Sequence, residues 1–349
     1  MSTFLLFATE RYALPILRPL ARALRRAGHE PYWFLAGDTG ARLSSAEPRL
    51  VRVAEVRELR PCAVFSVANW TPHFFPGAKV QVFHGFNVEK RNAAHGHFRI
   101  RGLFDLYCTQ GPATTGPFRA LAEQHGHFAV AETGWPKLDP LFAPDDGSAA
   151  AFRSTDGRPM VMYAATFTER LSSAPHLHDE IARLVARGDR YWLLTLHPKS
   201  APNLVARYRA LAGPNARFVE AEDLVPAERA ADVLVSDTSS VISEFVVQGK
   251  PVVTFRNRAP RPHMLDIDAP EALDAALARA LAPEADWLAA LRREADAIHP
   301  SRDGRASERV IAATLDLIGG RLGALAPKPV NPWRKLQMRW KLRWFGASR

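Results

Sequence analysis

The sequence predicts an α/β protein made of two successive doubly wound parallel-sheet domains. Three observations lead there. Short, almost continuously apolar runs of strand length recur along the chain, helix-length connections separate them, and one stretch rich in Pro, Asp and Gly divides the series in two. With 349 residues, 47% hydrophobic and 23% charged, the chain has the balance of a globular protein with a large core. Its length suits two domains.

Residues 4–10 form the first apolar run. Leu14, Leu17, Leu20, Ala21 and Leu24 follow at helical spacing, with Arg18, Arg22, Arg25 and Arg26 between them, and Gly28 stops the helix. Strands are expected at 32–36, 62–67, 80–83 and 103–108. Between 140 and 158, Pro144, Asp145, Asp146, Gly147 and Gly157 break the pattern. A second alternation follows: strand 160–164, helix 179–187, strand 191–196, helix 203–211, strand 217–219, helix 226–230, strand 233–236, helix 239–248 and strand 252–255. Two or three helices over 270–320 close it. The expected division is an N-terminal acceptor domain at 1–150, a C-terminal donor domain at 151–326 and a basic, Trp-rich helical tail at 327–349. Such sheets bind ligands beyond the C-terminal ends of their strands and at domain junctions, so a cleft lined by residues that follow strands is expected.

The 46 Lys and Arg exceed the 36 Asp and Glu by ten, which calls for an anionic partner. Seven of the basic residues, Lys328, Arg334, Lys335, Arg339, Lys341, Arg343 and Arg349, lie after Ala326 with no acid among them. The body is therefore close to neutral, and no nucleic-acid motif appears in it. Trp333, Leu336, Trp340 and Trp344 fall on one arc of a helix drawn from residue 333, as in a helix lying among anionic lipid headgroups. Met338, Leu342 and Phe345 fall on its far side, which leaves open that the segment packs on the body. The absence of a membrane-length apolar run or a signal sequence leads to the expectation of a cytoplasmic protein on the inner face of the membrane. Cys62 and Cys108 are too few for a disulfide framework or a four-cysteine zinc site and are expected as buried hydrophobes.

Three strand ends carry the chemistry. Strand 233–236 runs into Asp237-Thr238-Ser239-Ser240 and a helix, an anion site of hydroxyls and unsatisfied N–H groups, unless Asp237 or a serine merely caps the helix. Glu244 lies one turn further in. Strand 191–196 delivers His197, with Lys199 two residues on. In the other domain strand 80–83 delivers His84 and Gly85, with Lys90 after them, and Gly85 is expected to let the backbone turn sharply or come close to a ligand. One imidazole could serve as general base and the other stabilise a phosphate. Thr166, after strand 160–164, is expected with Lys199 and the Asp237–Ser240 turn at the donor diphosphate, and Lys137 and Asp139, within Gly134–Asp139, are further cleft candidates. Gly-x-Gly-x-x-Gly and P-loop motifs are absent, since Gly249-Lys250 is followed by Pro251. No metal set is expected from His176 and His178 or the pairs at 95/97 and 125/127, and no cofactor is called for.

In order, His84–Lys90, Gly134–Asp139, Tyr163–Phe167, His197–Pro198 and Asp232–Phe255 resemble the motifs of the CDP-glycerol glycerophosphotransferase family, the teichoic-acid and capsule polymerases with a GT-B fold. Three positions depart from the family pattern: Phe86-Asn87 stands in place of Thr-Pro, and Thr195 in place of Arg. The resemblance implies that an acceptor hydroxyl, on a cell-surface glycan or lipid-linked molecule, attacks the polyol-bearing phosphate of a CDP-activated polyol and releases CMP. It implies His84 as the general base, His197 as the contact that eases CMP departure, and Ser239 and Ser240 as the pyrophosphate cradle. A GT-B glycosyltransferase using a nucleotide sugar, and a non-catalytic basic module binding membrane or nucleic acid, are the alternatives.

Overall fold

In the computed structural model, residues 1–36, 43–85, 98–144 and 147–345 are described. The first stretch runs β1 (Thr3–Ala8), α1 (Leu14–Arg26), β2 (Glu30–Leu35), β3 (Arg49–Leu50), α2 (Val53–Leu59), β4 (Ala63–Ser66), β5 (Ala78–Gln81), β6 (Leu106–Thr109), α3 (Pro112–His125), β7 (Ala129–Glu132) and α4 (Asp139–Phe142). The second runs β8 (Met160–Ala165), α5 (Ala174–Arg187), β9 (Tyr191–Leu196), α6 (Pro202–Arg209), β10 (Ala216–Phe218), α7 (Leu224–Ala230), β11 (Val233–Ser236), α8 (Val241–Val246), β12 (Val252–Phe255), β13 (Met264–Ile267), α9 (Leu273–Leu281) and α10 (Ala285–Ile298). The chain closes with α11 (Ala306–Ile318) and α12 (Pro332–Lys341).

Each half forms a parallel sheet. The orders are β3-β2-β1-β4-β5-β6-β7 and β10-β9-β8-β11-β12-β13, both doubly wound. Strand β8 shows why the runs are continuously apolar. Val161, Tyr163 and Ala165 enter the core beneath α5 and α9, while Met160, Met162 and Ala164 enter the one that holds Phe245 and Leu291, so neither face meets water.

The chain divides into two compact units, Met1–Pro140 with Asp303–Arg349, and Leu141–Arg302. The first differs from the expected N-terminal domain because α11 returns to it. The Asp139 carboxylate accepts the N–H groups of Ala306 and Ser307 at 2.8 and 2.9 Å, satisfying the first turn of α11. Arg309 donates to the Thr133 carbonyl at 2.9 Å.

The tail also belongs to the first unit. Lys328 pairs with Asp105 at 2.6 Å, and Pro329 passes over Gly102 (φ 66°), where a Cβ would clash with it. Met338 is 3% exposed in the core of this unit, and Leu342 and Trp344 pack against the same core. The opposite arc of α12 turns outward, with Trp333 and Trp340 70% and 73% exposed and Leu336 beside them. The two apolar arcs thus have separate uses. Trp344 leaves the expected outward arc because the helix ends at Lys341 and Arg343 takes a positive φ of 49°. Among the described residues no helix is long and apolar enough to cross a membrane. Cys108 is buried, but Cys62, just before β4, is only half-buried.

Candidate active site

In the second unit the C-terminal ends of β9, β8, β11 and β12 lie side by side. Strand order reverses between β8 and β11, the switch point at which open α/β sheets take ligands. Asp237 spans that point. Its carboxylate accepts the N–H of Thr166 at 3.0 and 3.1 Å and the N–H and Oγ–H of Ser173 at 2.9 and 3.1 Å. Tyr163 Oη lies 2.8 Å from Ser173 Oγ, extending the chain of bonds into the core. The group is fully buried, and desolvation raises its pKa above the usual carboxylate range in spite of these donors.

Asp237 is therefore not a ligand-facing side chain, and that expectation is corrected. It is a strut, since a carboxylate this deep must spend its lone pairs on the N–H groups behind the rim. Nor does it cap α8. The Asp237 carbonyl accepts from Asn257 Nδ2 at 2.6 Å and Thr238 Oγ1 accepts the N–H of Arg258 at 3.2 Å, which ties the turn to the end of β12. Thr238 and Ser239 are half-exposed and Ser240 is exposed; Ser240 stands at the N-cap with no side-chain capping bond. Helix α8 has six residues, shorter than expected, so the hydroxyls and the turn contribute more here than a long helix dipole. Glu244 is 3% exposed within α8 and does not line the rim.

His197 follows β9 and is exposed. Its Nδ1 accepts the N–H of Lys199 at 3.0 Å. An Nδ1 that accepts places the proton of the neutral ring on Nε2, where it can be donated outward. Burial first, and then the Lys199 charge, hold the His197 pKa below its usual value, so the ring favours this neutral form. Its plane leans on Phe167, 4.3 Å between centroids, and Lys199 Nζ lies 5.5 Å from the same ring. Asn257 and the exposed Arg258 lie outside the motifs read from the sequence, and Phe167, within the Tyr163–Phe167 motif, is not among the site candidates, although each follows β8 or β12 and the strand-end rule applies to all three.

His84 belongs to the first unit. The chain turns at Phe83, a buried residue with φ 56°, and presents His84 outward. His84 Nδ1–H donates to the Val67 carbonyl at 3.2 Å, which leaves Nε2 as the accepting nitrogen of the neutral ring. The flanking peptides are braced: Trp135 Nε1 donates to the Phe83 carbonyl at 3.3 Å, and Gln110 Nε2 to that of Gly85 at 3.1 Å. Of the two uses expected for Gly85, the sharp turn is not made there. The positive φ falls on Phe83, and a Cβ at 85 would meet nothing within 4 Å.

The Gly134–Asp139 segment is likewise a brace. Trp135 holds the His84 turn, Lys137 Nζ lies 5.4 Å from the Trp135 ring, and Asp139 is committed to α11. Lys90 lies outside the described residues. Among the described residues no group of three His, Cys, Asp or Glu could hold a metal ion, and His178 Nδ1 is 2.7 Å from Asp179.

Residues 115–259 match the family model described as CDP-Glycerol:Poly(glycerophosphate) glycerophosphotransferase. That segment contains Thr166, His197, Lys199 and the Asp237–Ser240 turn; His84 precedes it. The resemblance read from the motifs is borne out by this match. Among solved structures, the wall teichoic acid polymerase TagF is similar with a TM-score of 0.66 and 16% identity, over 92% of this chain and 90% of that one. The S. aureus MnaA–UDP co-structure gives 0.64 and 15%, over 91% and 97%. UDP-GlcNAc 2-epimerase from Neisseria meningitidis, bound to UDP-GlcNAc, gives 0.62 and 14%, over 90% and 99%. At such identities the likeness is one of fold, and the expected GT-B-like pair of parallel sheets stands. Compared by sequence with curated proteins, the chain has no match.

Proposed function

We propose, from the glycerophosphotransferase family that residues 115–259 match, that this chain moves a polyol phosphate, most simply glycerol phosphate, from a CDP-activated donor to an acceptor hydroxyl and releases CMP. A solved TagF variant was soaked with CDPG, in keeping with such a donor. The observation that carries the chemistry is the opposite pinning of two imidazoles: His84 accepts at Nε2, and His197 donates there. His84 takes the proton of the acceptor hydroxyl as its oxygen bonds to the polyol-bearing phosphorus. The phosphorus–oxygen bond to CMP breaks, and the electron pair leaves with the CMP phosphate. His197 Nε2–H and the Lys199 cation steady that charge, and the Thr238, Ser239 and Ser240 hydroxyls hold the diphosphate. Asp237 positions Thr166 behind them. Replacing His84 or His197 by Ala, one at a time, should each lower CMP release from CDP-glycerol by about 100-fold or more; near wild-type turnover in either variant contradicts its role.

The acceptor in this reading is a cell-surface glycan or a lipid-linked molecule, and the chain works on the cytoplasmic face of an anionic membrane. Support comes from α12, whose exposed Trp333, Leu336 and Trp340 run beside Lys335, Arg339 and Lys341. Because Met338 is part of a core, removing the tail would disturb the body. The suitable test is vesicle sedimentation of the double variant Trp333→Ala/Trp340→Ala, which should lose binding to phosphatidylglycerol vesicles; unchanged sedimentation contradicts membrane attachment.

A further inference from the structure

Between α12 and the loop after β4 the first unit has a cavity of about 210 Å³. Arg101, Arg334 and Lys341 line it together with Asn69, Trp70 and Gln337, and among the described residues no carboxylate does. On α12, Arg334, Gln337 and Lys341 stand three and four residues apart, so they share one face. That face borders the exposed one of Trp333, Leu336 and Trp340. The cavity walls are set by packing: Arg334 Nη1 donates to the Arg101 carbonyl at 2.8 Å, and Lys341 Nζ lies 5.1 Å from the Trp70 ring. Half-buried Arg334, with Arg99 nearby, has its pKa lowered by desolvation and then by that like charge.

We infer that this cavity is a binding site for the phosphodiester headgroup of an anionic phospholipid. Its charge calls for a phosphate, and guanidinium and ammonium groups are the usual donors to one. Asn69 and Gln337 add neutral partners for headgroup hydroxyls. The volume is below the roughly 300–1,000 Å³ of pockets for drug-sized ligands and suits a headgroup. The adjoining apolar face favours a lipid over a soluble phosphate, since the chains of a bound lipid would continue past Trp333 and Trp340. This inference rests on the membrane reading above and deepens it: the tail would then hold a particular headgroup, beyond a general attraction to negative charge.

The test titrates the full chain calorimetrically with monomeric dihexanoyl phosphatidylglycerol and, separately, with glycerol phosphate. Wild type is compared with Lys341→Gln, Arg334→Gln and Arg343→Gln. Lys341 is exposed, so its variant should fold even if Arg334→Gln does not, and Arg343 removes an equal charge outside the cavity. The expected result is a loss of lipid affinity of about tenfold in each cavity variant, as for a lost charge-assisted hydrogen bond. Arg343→Gln should stay within about twofold of wild type, and glycerol phosphate should bind more weakly than the lipid. Wild-type affinity in Lys341→Gln, or an equal loss in Arg343→Gln, overturns the site. Glycerol phosphate binding as tightly as the lipid assigns the cavity to a soluble phosphate and overturns the lipid claim. If Trp333→Ala/Trp340→Ala still sediments with vesicles, the membrane reading falls; if it does not and only the cavity variants are silent, the headgroup site alone falls.

Discussion

The backbone N–H of Lys199 donates to Nδ1 of His197 across 3.0 Å, so the residue that brings positive charge to the rim also fixes which nitrogen of the imidazole carries the proton. With burial and the Lys199 charge both opposing protonation, free His197 should titrate below its ordinary 6.5. A bound diphosphate reverses the balance and should raise that pKa. Ring resonances of His197 followed by NMR against pH, with and without a CDP-activated donor, check both directions. A free value above 6.5 contradicts the reading.

Asp237 supports the donor rim from behind. In Asp237→Asn a buried amide N–H₂ replaces one acceptor oxygen and meets N–H groups that had donated to it. The expected cost is about 1–3 kcal/mol of stability, and because Thr166 loses its anchor, KM for the donor should rise more than kcat falls. Urea unfolding together with steady-state kinetics gives both numbers. An unchanged KM would separate Asp237 from donor binding.

Trp135 acts through His84. Trp135→Phe keeps the ring and loses the bond to the Phe83 carbonyl, leaving the His84 turn less well held. Turnover should fall about five- to tenfold, in line with roughly 1 kcal/mol for one hydrogen bond, with donor affinity unchanged. Loss of donor affinity instead would place Trp135 in a different role.

One half-buried and one buried histidine make the fold acid-sensitive. Desolvation first, and neighbouring cations after it, hold His73 and His263 at about 4. In the unfolded chain each takes a proton near 6.5, so between those values the unfolded state binds more protons, and stability is lost as pH falls from 6.5 toward 4. Urea midpoints should drop between pH 7 and pH 5, and His263→Gln should flatten that slope. A midpoint independent of pH contradicts this.

Much of this was legible where chemistry is local. Apolar runs such as 160–165 and 233–236 mark buried strands, and a polar residue directly after one marks the rim, which is how His84, His197 and the Thr238–Ser240 turn stand out. The unread parts depend on distant partners. Asp139 finds the start of α11 more than 160 residues along the chain, and no spacing rule reaches that far. Asp237 resembles a ligand-facing carboxylate until its three donors are seen. Strand β13 (Met264–Ile267) is half-buried and α3 carries Pro117 with weak periodicity, so neither has a strong pattern. The mixed helical wheel of the tail became clear only once Met338 was seen in one core and Trp340 outside it.

The most direct test of the central claim incubates the protein with CDP-glycerol and with UDP- and CDP-linked sugars and identifies the nucleotide released. The account predicts CMP from CDP-glycerol together with a new phosphodiester signal in the ³¹P spectrum. A nucleoside diphosphate released from a sugar donor, with no new phosphorus signal and no CMP from CDP-glycerol, would contradict it.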